Sequence, residues 1–202
     1  MVSLFARFMK IIPVVYLRDG KIWTKKDAEP ISIKNILEQV KADEEVYILD
    51  DDGIEGNRPD FSIYQSLSEH YSIWVDAGPR ILDDVVDVVM GGATNVVIRE
   101  NLFVSKDLPE VKEFTDCLIY SYVDLQKDEP RFLSMSSYID GLVICNDRKQ
   151  FEGDFRLCEL LKNLCKRHSV YVFDDEKENT KYWENIGVAG ILLLYPEKQG
   201  GC

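Results

Sequence analysis

The run from Val46 to Glu100 decides the fold. It opens V-Y-I-L-D-D-D-G-I-E-G-N-R-P-D-F (Val46 to Phe61) and passes through a helical run to I-W-V-D-A-G-P-R (Ile73 to Arg80). A second helical run then leads to N-V-V-I-R-E (Asn95 to Glu100). Short apolar segments stop at charged residues, and helical periodicity fills the intervals. The order is strand, turn, helix, strand, turn, helix, strand. Such alternation predicts a parallel sheet covered by helices, with any chemistry at the carboxyl ends of the strands.

Working outward, Ile11 to Leu17 is almost wholly apolar, as a strand buried on both faces should be. Cys117 to Val123, Asp140 to Cys145, Ser169 to Phe173 and Ala189 to Leu194 read the same way. Between them Ser32 caps a helix, Pro59 and Asp60 open another, and Asp83 and Asp84 suit the first turn of a third. A short helix is expected around Pro109 to Phe114 and a weak one over Glu129 to Ser137. Phe155 to Arg167 presents Cys158, Leu161, Leu164 and Cys165 on one face, and the helix Asn179 to Ile186 stops at Gly187.

Eight strands alternating with helices is the pattern of a single (β/α)8 barrel over residues 1–202. Such barrels typically need about 250 residues, so this one is expected to be compact and to lack its last helix. An open doubly wound sheet fits less well, because no glycine-rich phosphate loop follows the first strand. Residues 1–10 read as a short amphipathic extension. Ile191 to Leu194 shows no polar alternation and needs cover on its outer face, which Leu4, Phe5 and Phe8 are expected to supply, with dimerisation as the other route. A monomer or homodimer follows. The chain also echoes itself: Glu55-Gly56, Asp76 and Gly92-Ala93 recur in order as Glu152-Gly153, Asp174 and Gly187-Val188, which suggests a duplicated half.

The formal net charge of −12 disfavours nucleic acid and anionic membranes as partners. The five cysteines form no C-x-x-C pair, so buried free thiols in a reducing cytoplasm explain them best. The apolar run after Arg7 and Lys10 is short, contains Pro13 and lacks a small-residue cleavage site, so no signal peptide is expected.

Four segments resemble the HisA/HisF barrels of histidine biosynthesis, most closely the branch that isomerises phosphoribosylformimino-aminoimidazole carboxamide ribotide. They are I-I-P-V-V-Y-L-R-D-G (Ile11 to Gly20), Y-I-L-D-D-D-G-I-E-G (Tyr47 to Gly56), V-D-A-G-P-R (Val75 to Arg80) with the downstream G-G-A-T-N-V-V-I, and I-D-G-L-V-I (Ile139 to Ile144). The resemblance implies a half-barrel duplication and a mouth that grips two phosphates. The chain departs from it at the sites that matter. Tyr16 stands where the first catalytic aspartate ends strand one, and Asp124 lies near the place of the second. Arg99-Glu100, Asp174-Asp175-Glu176 and Tyr195 replace the glycines that let backbone N–H groups approach phosphate.

The resemblance and the strand ends together imply a mouth that takes a small-molecule ligand. Asp124, Asp50 and Tyr16 are its acid–base candidates, and Arg99 and Arg80, with Gly78, are its anion anchors. Asp52, Asp76, Asp147, Arg148, Asp174 and Tyr195 complete the mouth. An anion is expected on the half holding strands three and four, away from the acids after strand seven. No cofactor is expected, although the crowded carboxylates would admit a divalent cation such as Mg2+. Two functions fit. One is a diverged isomerase or lyase acting on a small sugar-derived or anionic metabolite, without the histidine-pathway reaction. The other is a non-catalytic ligand-binding or regulatory barrel.

Overall fold

The computed structural model describes residues 9–24, 29–38, 40–41, 44–127 and 137–194. Its strands, numbered in chain order, are β1 (Lys10–Arg18), β2 (Lys21–Trp23), β3 (Glu45–Asp50), β4 (Ser72–Asp76) and β5 (Ala93–Arg99). They continue with β6 (Leu118–Val123), β7 (Gly141–Ile144), β8 (Ser169–Asp174) and β9 (Gly190–Leu194). Strands β1 and β3 to β9 pair in sequence order, all parallel, and β9 pairs back onto β1 through Lys10↔Gly190 to Val14↔Leu194. The eight strands therefore close into a (β/α)8 barrel. Strand β2 is an addition that the apolar pattern did not announce. It forms an antiparallel hairpin on β1, turning at Asp19-Gly20.

Eight α-helices are described: α1 (Ile33–Leu37), α2 (Asp51–Gly56), α3 (Phe61–Ser68), α4 (Leu82–Met90), α5 (Leu108–Phe114), α6 (Arg148–Gly153), α7 (Phe155–Cys165) and α8 (Thr180–Ile186). Lys10, expected in the N-terminal extension, begins β1. Residues 1–8 of that extension, most of the weak helix over 129–137 and the chain after β9 lie outside the described residues. So do Leu4, Phe5 and Phe8, the expected cover for β9.

Alternation along each strand splits the apolar residues into two sets. The outward set (Val15, Ile48, Ile73, Val96, Ile119, Leu142, Val170 and Ile191 among others) packs under the helices. The inward set fills the barrel: Ile12, Val14, Tyr47, Trp74, Val97, Tyr120, Val143, Tyr171 and Leu192. Aromatic rings dominate this interior. Trp74 lies 4.2 Å from Tyr120 and 4.8 Å from Tyr171, centroid to centroid. Two glycines make the space for them. A Cβ on Gly141 would lie 2.8 Å from the Tyr120 ring, and one on Gly190 would lie 2.8 Å from the Tyr171 ring. Large rings on alternate strands thus meet bare backbone on their neighbours, which lets a narrow barrel close without voids.

The echo between halves shifts by one residue in the structure. S-I-W-V-D in β4 and S-V-Y-V-F-D in β8 share their first four positions, with Trp74 and Tyr171 both inside the barrel. Asp76 therefore corresponds to Phe173, and Asp174 to Ala77. The two aspartates are not equivalent: one faces the barrel interior and the other the helix layer.

Candidate functional site

The mouth at the carboxyl ends of the strands holds a cavity of about 430 Å³. Its floor consists of Tyr16, Leu49, Tyr122 and Phe173, the last inward residues of β1, β3, β6 and β8, with the Cys145 thiol beside them. Asp147 at the N-cap of α6 and Arg148 and Lys149 in its first turn line the β7 side, and Asp174 at the end of β8, with Asp175 and Glu176 just after it, lines the β8 side. The cavity is thus displaced toward β7, β8 and β1.

Tyr16 is the one acid–base candidate that reaches this cavity. Burial, followed by the nearby charge of Asp51, raises its pKa to about 12, so the phenol keeps its proton at neutral pH. Asp50 is fully buried outside the cavity lining. Its Oδ1 accepts from the Gly53 amide at 2.9 Å, and its Oδ2 accepts from the Asp60 amide at 3.1 Å and from the Tyr64 hydroxyl. It caps α2 and ties it to α3. Burial raises its pKa, against the opposing effect of those three donors.

Asp124 sits just past β6. Its Oδ1 accepts from the Gln126 amide at 3.0 Å and from Asn146 Nδ2 at 3.0 Å, and its Oδ2 faces Lys127 Nζ at 3.2 Å. Burial pushes its pKa up, but these partners outweigh burial and hold the carboxyl below its usual range. A carboxylate so stabilised is a weak base.

The two arginines expected to hold an anion are held by protein oxygens. Arg99 forms a two-pronged pair with Asp76, Nε to Oδ1 at 2.8 Å and Nη2 to Oδ2 at 2.7 Å, and its guanidinium stacks 3.8 Å from the Tyr122 ring centroid. Tyr47 also donates to Asp76 Oδ2, at 3.0 Å, so the fully buried carboxylate has three donors. Arg80 Nη1 donates to Asn57 Oδ1 at 2.6 Å and to the Gly78 carbonyl at 3.0 Å, and Nη2 to the Ile54 carbonyl at 2.9 Å. It clamps the end of α2 to the loop after β4. Gly78 takes a left-handed φ of +63° there, packed against Ile54 and Leu102.

The remaining mouth residues divide between structural bonds and the cavity rim. Asp52 accepts from the Gly20 amide at 3.2 Å, tying α2 to the β1–β2 turn. Asp147 caps α6 by accepting from the Gln150 amide, and Arg148 pairs with Glu152 at 2.5 Å. Asp174 accepts from Trp183 Nε1 at 2.5 Å and from Asn179 and the Glu176 amide at 2.9 Å each, which anchors α8. Tyr195 lies outside the described residues. Among those residues no group of three or more His, Cys, Asp or Glu side chains could hold a metal ion, and no helix is long and apolar enough to cross a membrane.

Leu49, Tyr122, Cys145, Lys149 and Phe173 were not marked as site residues by the sequence. The signal that finds all but Lys149, which lies in α6, is parity. Each inward aromatic fixes the face of its strand, and counting by two from Tyr47, Tyr120, Val143 and Tyr171 reaches Leu49, Tyr122, Cys145 and Phe173.

The fold and mouth define a (β/α)8 barrel with a ligand-sized cavity at the face where such barrels place their sites. No protein-family profile matches the chain, and no curated protein matches it.

Proposed function

We propose that this protein is a HisA/HisF-like barrel that binds a small organic molecule at its mouth and has no histidine-pathway isomerase chemistry. The observation that carries the reading is the state of the proton-transfer candidates. Tyr16 keeps its proton, while the carboxylates of Asp50 and Asp124 are engaged by two or more protein donors each. The isomerisation needs an acid and a base facing one substrate, and neither Asp50 nor Asp124 stands at the cavity as a free carboxylate to supply the base. It does offer about 430 Å³ of space over an aromatic and aliphatic floor, within the size range of small-molecule sites. The non-catalytic reading is therefore favoured over a diverged enzyme.

The test is turnover by the purified chain on the histidine-pathway isomerase substrate, with Tyr16→Asp beside it. Neither protein is expected to turn over, because restoring one carboxylate leaves the second still tied to Asn146 and Lys127. Turnover by the unmodified chain comparable with a genuine isomerase would overturn the proposal.

A further inference from the structure

We infer that the mouth cavity takes an organic cation, an amine carried on a ring or short apolar body, and that it rejects phosphates and carboxylates. This rests on the reading of the mouth as a binding cavity. The argument is a charge account of the lining. The floor of Tyr16, Leu49, Tyr122 and Phe173 carries no formal charge and suits an apolar body. Above it stand four carboxylates, Asp147, Asp174, Asp175 and Glu176, against two cations, Arg148 and Lys149.

Pairing sharpens the imbalance. Arg148 is bonded at 2.5 Å to Glu152, an acid outside the lining, so its charge is already answered. Lys149 makes no ion pair within the described residues, but its side chain is exposed and strongly hydrated. On the other side, Asp175 is exposed on the rim with no hydrogen bond or ion pair within the described residues, and Glu176 accepts from Asn179 at 3.4 Å and feels the Arg148 charge without forming an ion pair with it.

The two arginines that would favour an anion elsewhere in the mouth have their N–H groups engaged by protein oxygens. Arg99 is paired with Asp76 and Arg80 lies on carbonyl and amide oxygens. An entering anion would thus meet excess negative charge at the rim and, among the described residues of the lining, no arginine free of protein partners. A cation would be drawn by the rim, and by the field of a chain of net charge −12, while its body covers the aromatic floor.

A matched series separates charge from shape: phenethylamine, 2-phenylethanol and 3-phenylpropionate share one body and differ in charge. Binding is read by saturation-transfer NMR and titration. Phenethylamine is expected to bind about tenfold or more tightly than 3-phenylpropionate at low salt, with the alcohol between them. The gap should narrow near 1 M salt, where screening acts within about 3 Å. Asp175→Lys with Glu176→Lys, both on the exposed rim, should invert the order, and Tyr16→Ala should weaken all three. Equal affinities, or tighter binding of 3-phenylpropionate, overturn the cation inference and leave mouth binding intact. No Tyr16-sensitive signal from any of the three overturns the binding reading itself.

Discussion

Replacing Arg99 with Met should destabilise the barrel far more than the loss of a surface arginine would. The side chain is only 14% exposed, and its partner Asp76 is completely buried. Met keeps much of the apolar stem but removes both hydrogen bonds to the carboxylate, leaving it the Tyr47 hydroxyl. Breaking a buried pair by removing one partner typically costs about 3–5 kcal/mol, because an uncompensated charge stays in the interior. Loss of the stack on Tyr122 adds roughly 0.5–2 kcal/mol. Urea unfolding followed by tryptophan fluorescence reads this directly, since Trp74 is in the same interior layer as Tyr47. The double variant Arg99→Met with Asp76→Leu should be less destabilised than Arg99→Met alone, because no buried charge remains. A single variant within about 1 kcal/mol of the parent would refute the reasoning. It would also reopen Arg99 as a ligand anchor, since only a loosely held arginine could be lost so cheaply.

Two further outcomes follow from the same geometry. Burial raises the pKa of Asp50, so between the ordinary aspartate value near pH 4 and the raised one the folded chain holds more protons than the unfolded chain. Stability contributed at this position therefore falls as pH rises through that window, and Asp50→Asn should remove the slope; parallel stability–pH curves for the two proteins would contradict this. Gly141→Ala should lower the unfolding free energy by about 1–3 kcal/mol or more, read as a lower urea midpoint, because its Cβ would lie 2.3 Å from the Ser169 carbonyl oxygen. An unchanged midpoint would show that the β7–β8 spacing yields more easily than the packing implies.

The strands were legible because each is a short apolar run, most of them closed by a charge, and eight of them in alternation with helices leave few ways to bury both faces. The same feature hid the site. A strand apolar on both faces shows no polar alternation, so nothing in V-Y-I-L-D states whether Asp50 faces the barrel or the helices. Only the inward Tyr47 fixes the count, and it places Leu49 at the cavity and Asp50 under α3. Asp174 and Asp76 illustrate the same limit, since one extra residue in β8 turns its terminal acid to Trp183 while the acid of β4 meets Arg99. The partners of Arg80 were illegible for another reason. Apart from Asn57 they are backbone carbonyls, which no side-chain pattern encodes.

The location of a bound probe tests the account most directly. Phenethylamine titrated into the labelled protein should give intermolecular nuclear Overhauser contacts to the Leu49 methyls and the Phe173 ring, on the β3 and β8 floor of the cavity. Contacts instead to the methyls of Ile54 and Leu102, which flank Gly78 in the loop after β4, would place the ligand on the opposite half and contradict the account.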